Sequence, residues 1–184
     1  MSRHFVLSKW RLKFPMLVAP WLILLPIERC WDWGVLIATF GMAVRIWAAG
    51  HLGKPKEKVL VTTGPYAYLR HPLYLGTFFM VAGLSAVTSR PGIVGILIIG
   101  LLALYAYKVR IEESKLERRL GQEFFRYRKA LPAFLTSSSG YTKQGSRFSW
   151  PKVWERHEYH SLIILLAVFF MIHANEYLWE VLKK

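Results

Sequence analysis

The chain of 184 residues has the length of one domain, 54% of its residues are hydrophobic, and its formal net charge is +14. A soluble domain of this size could not bury so much apolar surface, whereas a membrane protein places apolar residues in spans and basic residues in the connections. The basic residues lie between long apolar blocks, which argues against nucleic-acid binding. No cysteine–histidine cluster indicates a metal site. We therefore expect a single integral membrane domain, 1–184.

Five apolar blocks are long enough, with their flanks, to form transmembrane helices of roughly 20 residues. In chain order the predicted spans cover 14–27, 33–49, 71–89, 93–110 and 161–178. The Ser-Arg-Pro-Gly run at 89–92 has the composition of a tight turn between the third and fourth spans. The sequence thus predicts an all-α fold, a polytopic helical membrane protein with about five transmembrane helices.

Lys and Arg are distributed unevenly over the connections. They are concentrated in the N-terminal segment, in the connection before the third span, and in the stretch 108–156, whereas the other connections carry one basic residue each. The positive-inside rule then places the N-terminus and these basic segments in the cytoplasm. If the chain is bacterial, its membrane is the inner (plasma) membrane.

An amphipathic helix is predicted after the fourth span, because apolar residues recur at spacings of three or four. These residues are Leu116, Leu120, Phe124, Tyr127 and Leu131. The opposite face is mostly charged, so the helix either lies at the cytoplasmic headgroup surface or packs on its neighbours. The polar, Gly/Ser-rich segment that follows favours a mobile linker, 136–158, leading to the last span.

The third and fourth spans form a predicted helical hairpin with arms of about 27 Å and about 30 Å, at a rise of 1.5 Å per residue. Equal arms return the segment 70–74 and the acidic pair Glu112 and Glu113 to the same depth, on the cytoplasmic side. Lys108 and Arg110 lie within about one turn of Glu112. Ionisable groups next to a span are costly to desolvate and together indicate a functional site. Each residue alone also fits a structural role at a span end.

Three motifs then carry a resemblance to a known family. They are GPYAYLRHPLYLG at 64–76, EE at 112–113 and LGQEFFRYRKALP at 120–132. Together they resemble the isoprenylcysteine carboxyl methyltransferase and phospholipid N-methyltransferase superfamily of integral membrane methyltransferases, over roughly 41–132. Lys108 stands where the carboxyl-methylating members place an Arg, and Phe124 stands where many members have a Tyr.

The resemblance implies that S-adenosylmethionine binds at the cytoplasmic end of the helices and that a lipophilic or lipid-linked acceptor enters from the membrane lipids. The cofactor-binding residues that it implies are Lys58, Val59, Leu60, Val61, Tyr66, His71, Pro72, Leu73, Tyr74 and Glu112. His51 is a weaker match for a polar contact to the cofactor. Lys108 and Arg110 would line the acceptor side. An ammonium acceptor must first lose a proton, which Glu113 or His71 would take. Together with the two residues on the acceptor side, the predicted catalytic set is Glu113, Lys108 and Arg110.

The residue types suit this chemistry on physical grounds as well. A sulfonium methyl donor requires alignment and exclusion of water rather than a metal. Carboxylates accept hydrogen bonds from ribose hydroxyls or an amino group, and aromatic faces attract a cation.

Two other functions remain open from the sequence. One is an NADPH-dependent reductase of the membrane sterol type, which shares a similar RHPxY segment, and the other is a non-catalytic lipid-binding or assembly protein. The identity of the methyl acceptor and the formation of a homodimer also remain open.

Overall fold

The computed structural model describes residues 31–52, 60–87, 91–134, 136–138, 140–141 and 147–182. In these ranges the chain forms helices and no strand, so the all-α prediction is confirmed. The helices are α1 (Trp31–His51), α2 (Pro72–Val87), α3 (Pro91–Leu120), α4 (Gln122–Ala130), α5 (Trp150–Glu155) and α6 (Glu158–Leu182), with a 3-10 turn at Gly64–Ala67.

Apolar helices coincide with several of the predicted spans. Among the described residues, Asp32–His51 is the one helix that is long and apolar enough to cross a membrane, and Pro72–Val87 and Glu158–Ala174 are shorter apolar helices. The first predicted span, 14–27, and the first two residues of the turn predicted at 89–92 lie outside the described residues, whereas residues 91 and 92 belong to α3. The five-span topology therefore stays a prediction.

Helices α1 and α2 are antiparallel and approach closely through glycines. A Cβ atom at Gly83 would lie 2.5 Å from the carbonyl oxygen of Gly34, and one at Gly41 would lie 2.5 Å from the carbonyl oxygen of Gly76. The two glycines of each helix are seven residues apart, so they lie on one face, and small residues there let the backbones approach. This contact fixes α2, which carries the Arg-His-Pro motif at its start.

Helix α6 packs against both α1 and α2 through apolar side chains. Leu165 is buried in a cluster with Ala38, and Val168 is buried in a second cluster with Val87. The helix begins at Glu158 and ends at Leu182, so it is longer than the span predicted at 161–178. The last apolar block of the sequence therefore covers the helix pair that positions the motif.

Helix α3 continues past the end of the predicted fourth span. It is a single helix of 30 residues, and the Glu112–Glu113 pair lies inside it rather than between two helices. No Pro or Gly interrupts residues 101–120, and the sequence there is rich in strong helix formers, which explains the continuity. The helix ends at Leu120, and the next residue, Gly121, has a φ of 54° and turns the chain into α4. Glycine adopts this conformation readily because it has no Cβ atom.

The apolar face predicted for the amphipathic helix is packed on neighbouring segments. Its residues Phe124, Tyr127 and Leu131 form one buried cluster with Leu60, and Leu116, Leu120 and Tyr141 pack against it. This face is therefore covered by protein, as the second alternative for this helix predicts.

The described part of 136–158 has more structure than the predicted mobile linker. The Ser137 amide donates to the Tyr68 carbonyl over 2.9 Å, and the Tyr141 amide donates to the Ala67 carbonyl over 2.7 Å. Helix α5 also lies within this segment. Backbone hydrogen bonds of this kind leave no periodic pattern in the side chains, so the sequence did not indicate them.

Candidate active site

The Arg-His-Pro motif forms the N-terminus of α2. The carbonyl of His71 accepts hydrogen bonds from the amides of Tyr74 and Leu75, each over 3.2 Å. Pro72 takes the first helical position, where its missing N–H is not needed. Because the helix starts here, the rings of His71 and Tyr74 lie at the same end of α2, with their centroids 5.8 Å apart.

The segment after α4 holds the backbone of this motif. The Arg70 amide donates to the Pro132 carbonyl over 3.1 Å, and the His71 amide donates to the Ala133 carbonyl over 3.2 Å. The ring of Phe134 lies 6.2 Å from the His71 imidazole. The end of the third sequence motif is thus attached directly to the first.

The acidic pair of α3 meets the motif side chain by side chain. His71 Nε2 lies 3.0 Å from Glu113 Oε1, and the Tyr74 hydroxyl donates to Glu112 Oε1 over 2.7 Å. The convergence of the Arg-His-Pro segment with the acidic pair, predicted from the matched hairpin arms, is therefore confirmed.

Glu113 is buried among three basic side chains. Besides His71, it accepts a hydrogen bond from the Arg70 guanidinium, and Arg128 Nε lies 3.4 Å from its Oε2. Burial by itself raises the pKa of the Glu113 carboxyl. The hydrogen bond from His71 and the charges of Arg70 and His71 outweigh burial and lower this pKa below its ordinary value. Glu113 is thus an ionised carboxylate that holds the surrounding cations in place.

Glu112 has a different environment. Its side chain is exposed, and its second oxygen makes no hydrogen bond to the described part of the chain. The ring of Tyr74, which donates to it, lies 4.8 Å from the ring of Tyr105, two helical turns before Glu112 on the same face of α3. A free carboxylate oxygen beside aromatic rings suits a ligand that carries both a positive charge and hydroxyl groups.

Tyr66 lies in the 3-10 turn that precedes the Arg-His-Pro segment and is buried. Its carbonyl accepts a hydrogen bond from the Tyr127 hydroxyl over 2.7 Å. Burial raises the pKa of the Tyr66 phenol, the charge of Arg156 partly opposes this, and the nearby Tyr127, Glu112 and Glu158 raise it further. The phenol therefore stays protonated. Charges on both α3 and the α5–α6 region thus contribute to the pKa of this phenol.

His51 lies beside the turn that precedes the motif. Gly64 in this turn has a φ of 60°, and a Cβ atom there would come within 2.6 Å of the His51 ring. Glycine is required at this position on both counts. His51 Nδ1 also lies 2.9 Å from the Trp47 carbonyl oxygen. The structure thus places His51 next to the segment that leads into the candidate site.

The remaining residues predicted to bind the cofactor differ from one another in burial. Pro72 is buried, Val61 and Leu73 are partly buried, and Leu60 packs in the apolar cluster with Phe124. Lys58 and Val59 lie outside the described residues. The role of each in binding a cofactor stays a prediction.

Lys108 and Arg110 are exposed, and neither makes an ion pair or hydrogen bond within the described ranges. Two residues apart on a helix, they lie on nearly opposite faces of α3, since each residue turns the helix by about 100°. Their catalytic roles, and that of Glu113, stay predictions, while the contacts of Glu113 favour a positioning role.

Sequence reasoning did not identify Arg128, Phe134 or Tyr105 as site residues. Tyr105 could have been found, because a spacing of seven places it on the same helix face as Glu112. Arg128 and Phe134 reach the site only because the chain bends at Gly121 and again after α4, and the sequence gives no measure of these bends.

Replacing Tyr127 with phenylalanine should lower the free energy of unfolding by about 1 kcal/mol, because the buried Tyr66 carbonyl loses its hydrogen bond. Chemical denaturation of the purified protein in detergent micelles would measure the change. Tyr107→Phe is the matched control, since Tyr107 is 66% exposed, and it should leave the unfolding free energy unchanged. Equal stability of both variants would contradict a structural role for the Tyr127 hydroxyl.

The helices and the joined motifs define a class of protein: an all-helical chain whose candidate site lies where the start of α2 meets the acidic pair of α3, as expected for membrane methyltransferases. The sequence profile of the phospholipid methyltransferase family matches residues 32–123, which is half of the chain. The chain belongs to this family, and the resemblance inferred from its motifs is confirmed. The matched region contains the contacts between the motif at the start of α2 and the acidic pair, whereas α5 and α6 lie outside it.

Curated relatives are similar to about half of the chain. The chain is 39% identical over 101 residues to the nickel-cobalt-cadmium resistance protein NccN of Alcaligenes xylosoxydans xylosoxydans. This match covers 55% of the chain and 46% of the relative. The chain is 34% identical over 108 residues to the cobalt-zinc-cadmium resistance protein CzcN of Cupriavidus metallidurans, 59% of this chain and 48% of the relative. It is 31% identical over 114 residues to the protein-S-isoprenylcysteine O-methyltransferase of Saccharomyces cerevisiae, 56% of this chain and 48% of the relative. The chain spans about half the length of these relatives.

Proposed function

We propose that this chain is an integral membrane methyltransferase that uses S-adenosylmethionine and acts on a lipophilic acceptor at the cytoplasmic face. One observation carries the proposal: His71 and Tyr74 at the start of α2 bond Glu113 and Glu112 of α3, inside the region that matches the methyltransferase family. Family membership favours methyl transfer over the NADPH-dependent reductase and the non-catalytic alternatives.

The chemistry of the exposed donor set fits the cofactor. When bound, S-adenosylmethionine supplies an electrophilic methyl group on a positively charged sulfur. The exposed Glu112 offers the cofactor's hydroxyl or amino groups a carboxylate oxygen that bonds no other described residue, and the partly buried ring of Tyr74, which packs on the buried ring of Tyr105, offers an aromatic face to a cation. Tyr74 is itself oriented by its bond to Glu112, so these groups act as one preorganised surface.

Methyl transfer makes a bond from the acceptor's nucleophilic atom to the methyl carbon, while the carbon–sulfur bond breaks and its electron pair stays on sulfur. An acceptor that arrives deprotonated, such as a carboxylate, needs no base. Glu113 is a poor base because His71, Arg70 and Arg128 saturate it and its pKa is lowered. These contacts favour a deprotonated acceptor over an ammonium acceptor that must first lose a proton.

The acceptor is proposed to be lipid-linked. Several relatives carry the name protein-S-isoprenylcysteine O-methyltransferase, and an O-methylated carboxylate agrees with the saturated state of Glu113. The apolar exposed residues of α3 and α6 would face lipid, which lets a lipophilic acceptor reach the end of α2 from the membrane. Lys108 is the proposed contact on the acceptor side, and pairing of two copies remains part of the proposal.

The test is binding of S-adenosylhomocysteine to purified protein in detergent, by calorimetry. His71→Ala and Glu112→Gln should each raise the Kd about tenfold, since hydrogen bonds to charged groups contribute about 1.5–3 kcal/mol. Glu123→Gln, an exposed carboxylate on α4, is the matched control and should bind like wild type.

Transfer of radiolabelled methyl groups from S-adenosylmethionine into a total lipid extract would then show turnover. Wild-type protein that binds NADPH instead of S-adenosylhomocysteine, or that binds neither, would overturn the proposed function. Equal affinity of wild type and both site variants would overturn the site assignment alone.

A further inference from the structure

Arg45 of α1 connects α1, α2 and α6 next to the first turn of α2. Its Nε and Nη2 donate to Glu158 Oε2 over 3.0 and 2.7 Å, and Nη2 also lies 3.4 Å from Ser161 Oγ. Its Nη1 donates to the hydroxyl of Thr77 and, over 3.4 Å, to the carbonyl of Leu73. Leu73 belongs to the first turn of α2, between His71 and Tyr74.

This ion pair is buried, which makes it sensitive to the loss of either partner. The side chains of Arg45 and Glu158 are 11% and 5% exposed. A buried charge that loses its partner is strongly unfavourable, so the two residues depend on each other. Since Arg45 also donates to the Leu73 carbonyl, the ion pair is connected to the first turn of α2.

The chain adopts an unusual conformation where it delivers Glu158. The preceding residue, His157, has a φ of 57°, although it is not a glycine. Residues with a Cβ atom rarely adopt this region, and such positions persist only where surrounding contacts enforce them. Here the conformation turns α5 into α6 and places Glu158 in the first turn of α6, opposite Arg45.

The charges of the same junction act on a residue next to the candidate site. The charges of Arg156 and Glu158 both act on the phenol of Tyr66, as does the charge of Glu112 on α3. The segment before α5 is attached to the end of α1, where the Ser149 amide donates to the Gly50 carbonyl over 3.0 Å. Residues from beyond the family-matched region are therefore held beside the matched motifs.

We propose that the α5–α6 junction completes the active site and that Glu158 is a positioning residue, which holds the first turn of α2 in its cofactor-binding geometry through Arg45. This inference rests on the proposed function and deepens it. It assigns a role to a segment that lies outside the family match at 32–123. The cofactor affinity of this chain then depends on a charge in its last helix.

The experiment compares Glu158→Gln with wild type for binding of S-adenosylhomocysteine in detergent. We expect the Kd to rise about tenfold, which corresponds to about 1.4 kcal/mol. Glu158→Asp, which keeps the charge, should recover part of the affinity. The matched control is Ile172→Ala, which removes buried packing about 21 Å further along α6. It should lower the melting temperature and leave the Kd unchanged.

The outcomes separate positioning from general stability. If Ile172→Ala raises the Kd as much as Glu158→Gln, or if Glu158→Gln binds like wild type, the inference is overturned. Should Glu158→Gln not fold, Thr77→Val provides the second measurement, because it removes a hydroxyl that contacts both Arg45 and the Leu73 carbonyl. An unchanged Kd for Thr77→Val would overturn the inference, and a raised one would support it. Wild-type protein without affinity for S-adenosylhomocysteine would contradict the proposed function itself.

Discussion

Replacing Glu113 with glutamine should lower the free energy of unfolding by about 3 kcal/mol, because breaking a buried ion pair leaves its partners uncompensated. Arg70 and His71 would lose the carboxylate that both of them bond, in a site where the side chain of Glu113 is 8% exposed. The His71 ring would lose its fixed orientation, so cofactor affinity should fall together with stability. Chemical denaturation in micelles and S-adenosylhomocysteine binding would measure the two effects.

The matched control is Glu117→Gln, one turn further along α3. Glu117 lies 3.6 Å from Arg128, but its side chain is 50% exposed. Exposed pairs of this kind contribute less than about 1 kcal/mol, so its loss should change little. If Glu117→Gln and Glu113→Gln destabilise the protein equally, the central role of Glu113 is contradicted.

The contribution of Glu113 to the stability of the protein should decrease as the pH falls. The pKa of the folded Glu113 carboxyl is lower than its ordinary value of 4.5. The stability that this carboxylate contributes is therefore fully present above the ordinary value and is lost as the pH falls through the folded value. Wild type and Glu113→Gln should differ most near neutral pH and become more alike below pH 4.5. A difference that grows on acidification would contradict this assignment.

The convergence of motifs could be predicted because it depends on quantities that a sequence provides. The rise of a helix is constant, so counting residues between His71 and Glu112 gives the relative depth of the two groups. The apolar face from Leu116 to Leu131 was visible for the same reason: its spacing repeats with the helix. Both features are properties of regular secondary structure.

The features of the site that the sequence did not predict depend on tertiary contacts, which leave no periodic pattern in the sequence. Arg45 and Glu158 are 113 residues apart, and nothing in the spacing of either residue indicates the other. The carbonyls of Pro132 and Ala133 hold the Arg-His-Pro motif through backbone atoms, which every residue has. The ionised state of Glu113 likewise follows from its neighbours His71 and Arg70 rather than from its own identity. Sequence reasoning identified the carboxylate and left its protonation and role undetermined.

Replacing Gly83 with alanine should destabilise the protein by about 2–3 kcal/mol, within the range for overpacking a close contact. The new Cβ atom would overlap the Ala38 amide nitrogen and lie 2.5 Å from the Gly34 carbonyl oxygen. These are backbone atoms that cannot rotate away, so α1 and α2 must separate. The same change at Gly100, where no atom of the described residues lies within 4 Å, should instead stabilise α3 by up to about 1 kcal/mol, since alanine favours helix more than glycine does.

The substitution of glycine by alanine should therefore destabilise the protein in α2 and stabilise it in α3. Denaturation midpoints of both variants would measure the two effects, and S-adenosylhomocysteine binding would show whether moving α2 displaces the His71 end. If Gly83→Ala were as stable as wild type, the close contact between α1 and α2 would be incorrect. The placement of the Arg-His-Pro motif against the acidic pair would then lose its structural support, because α2 carries the motif and the glycine contact fixes α2.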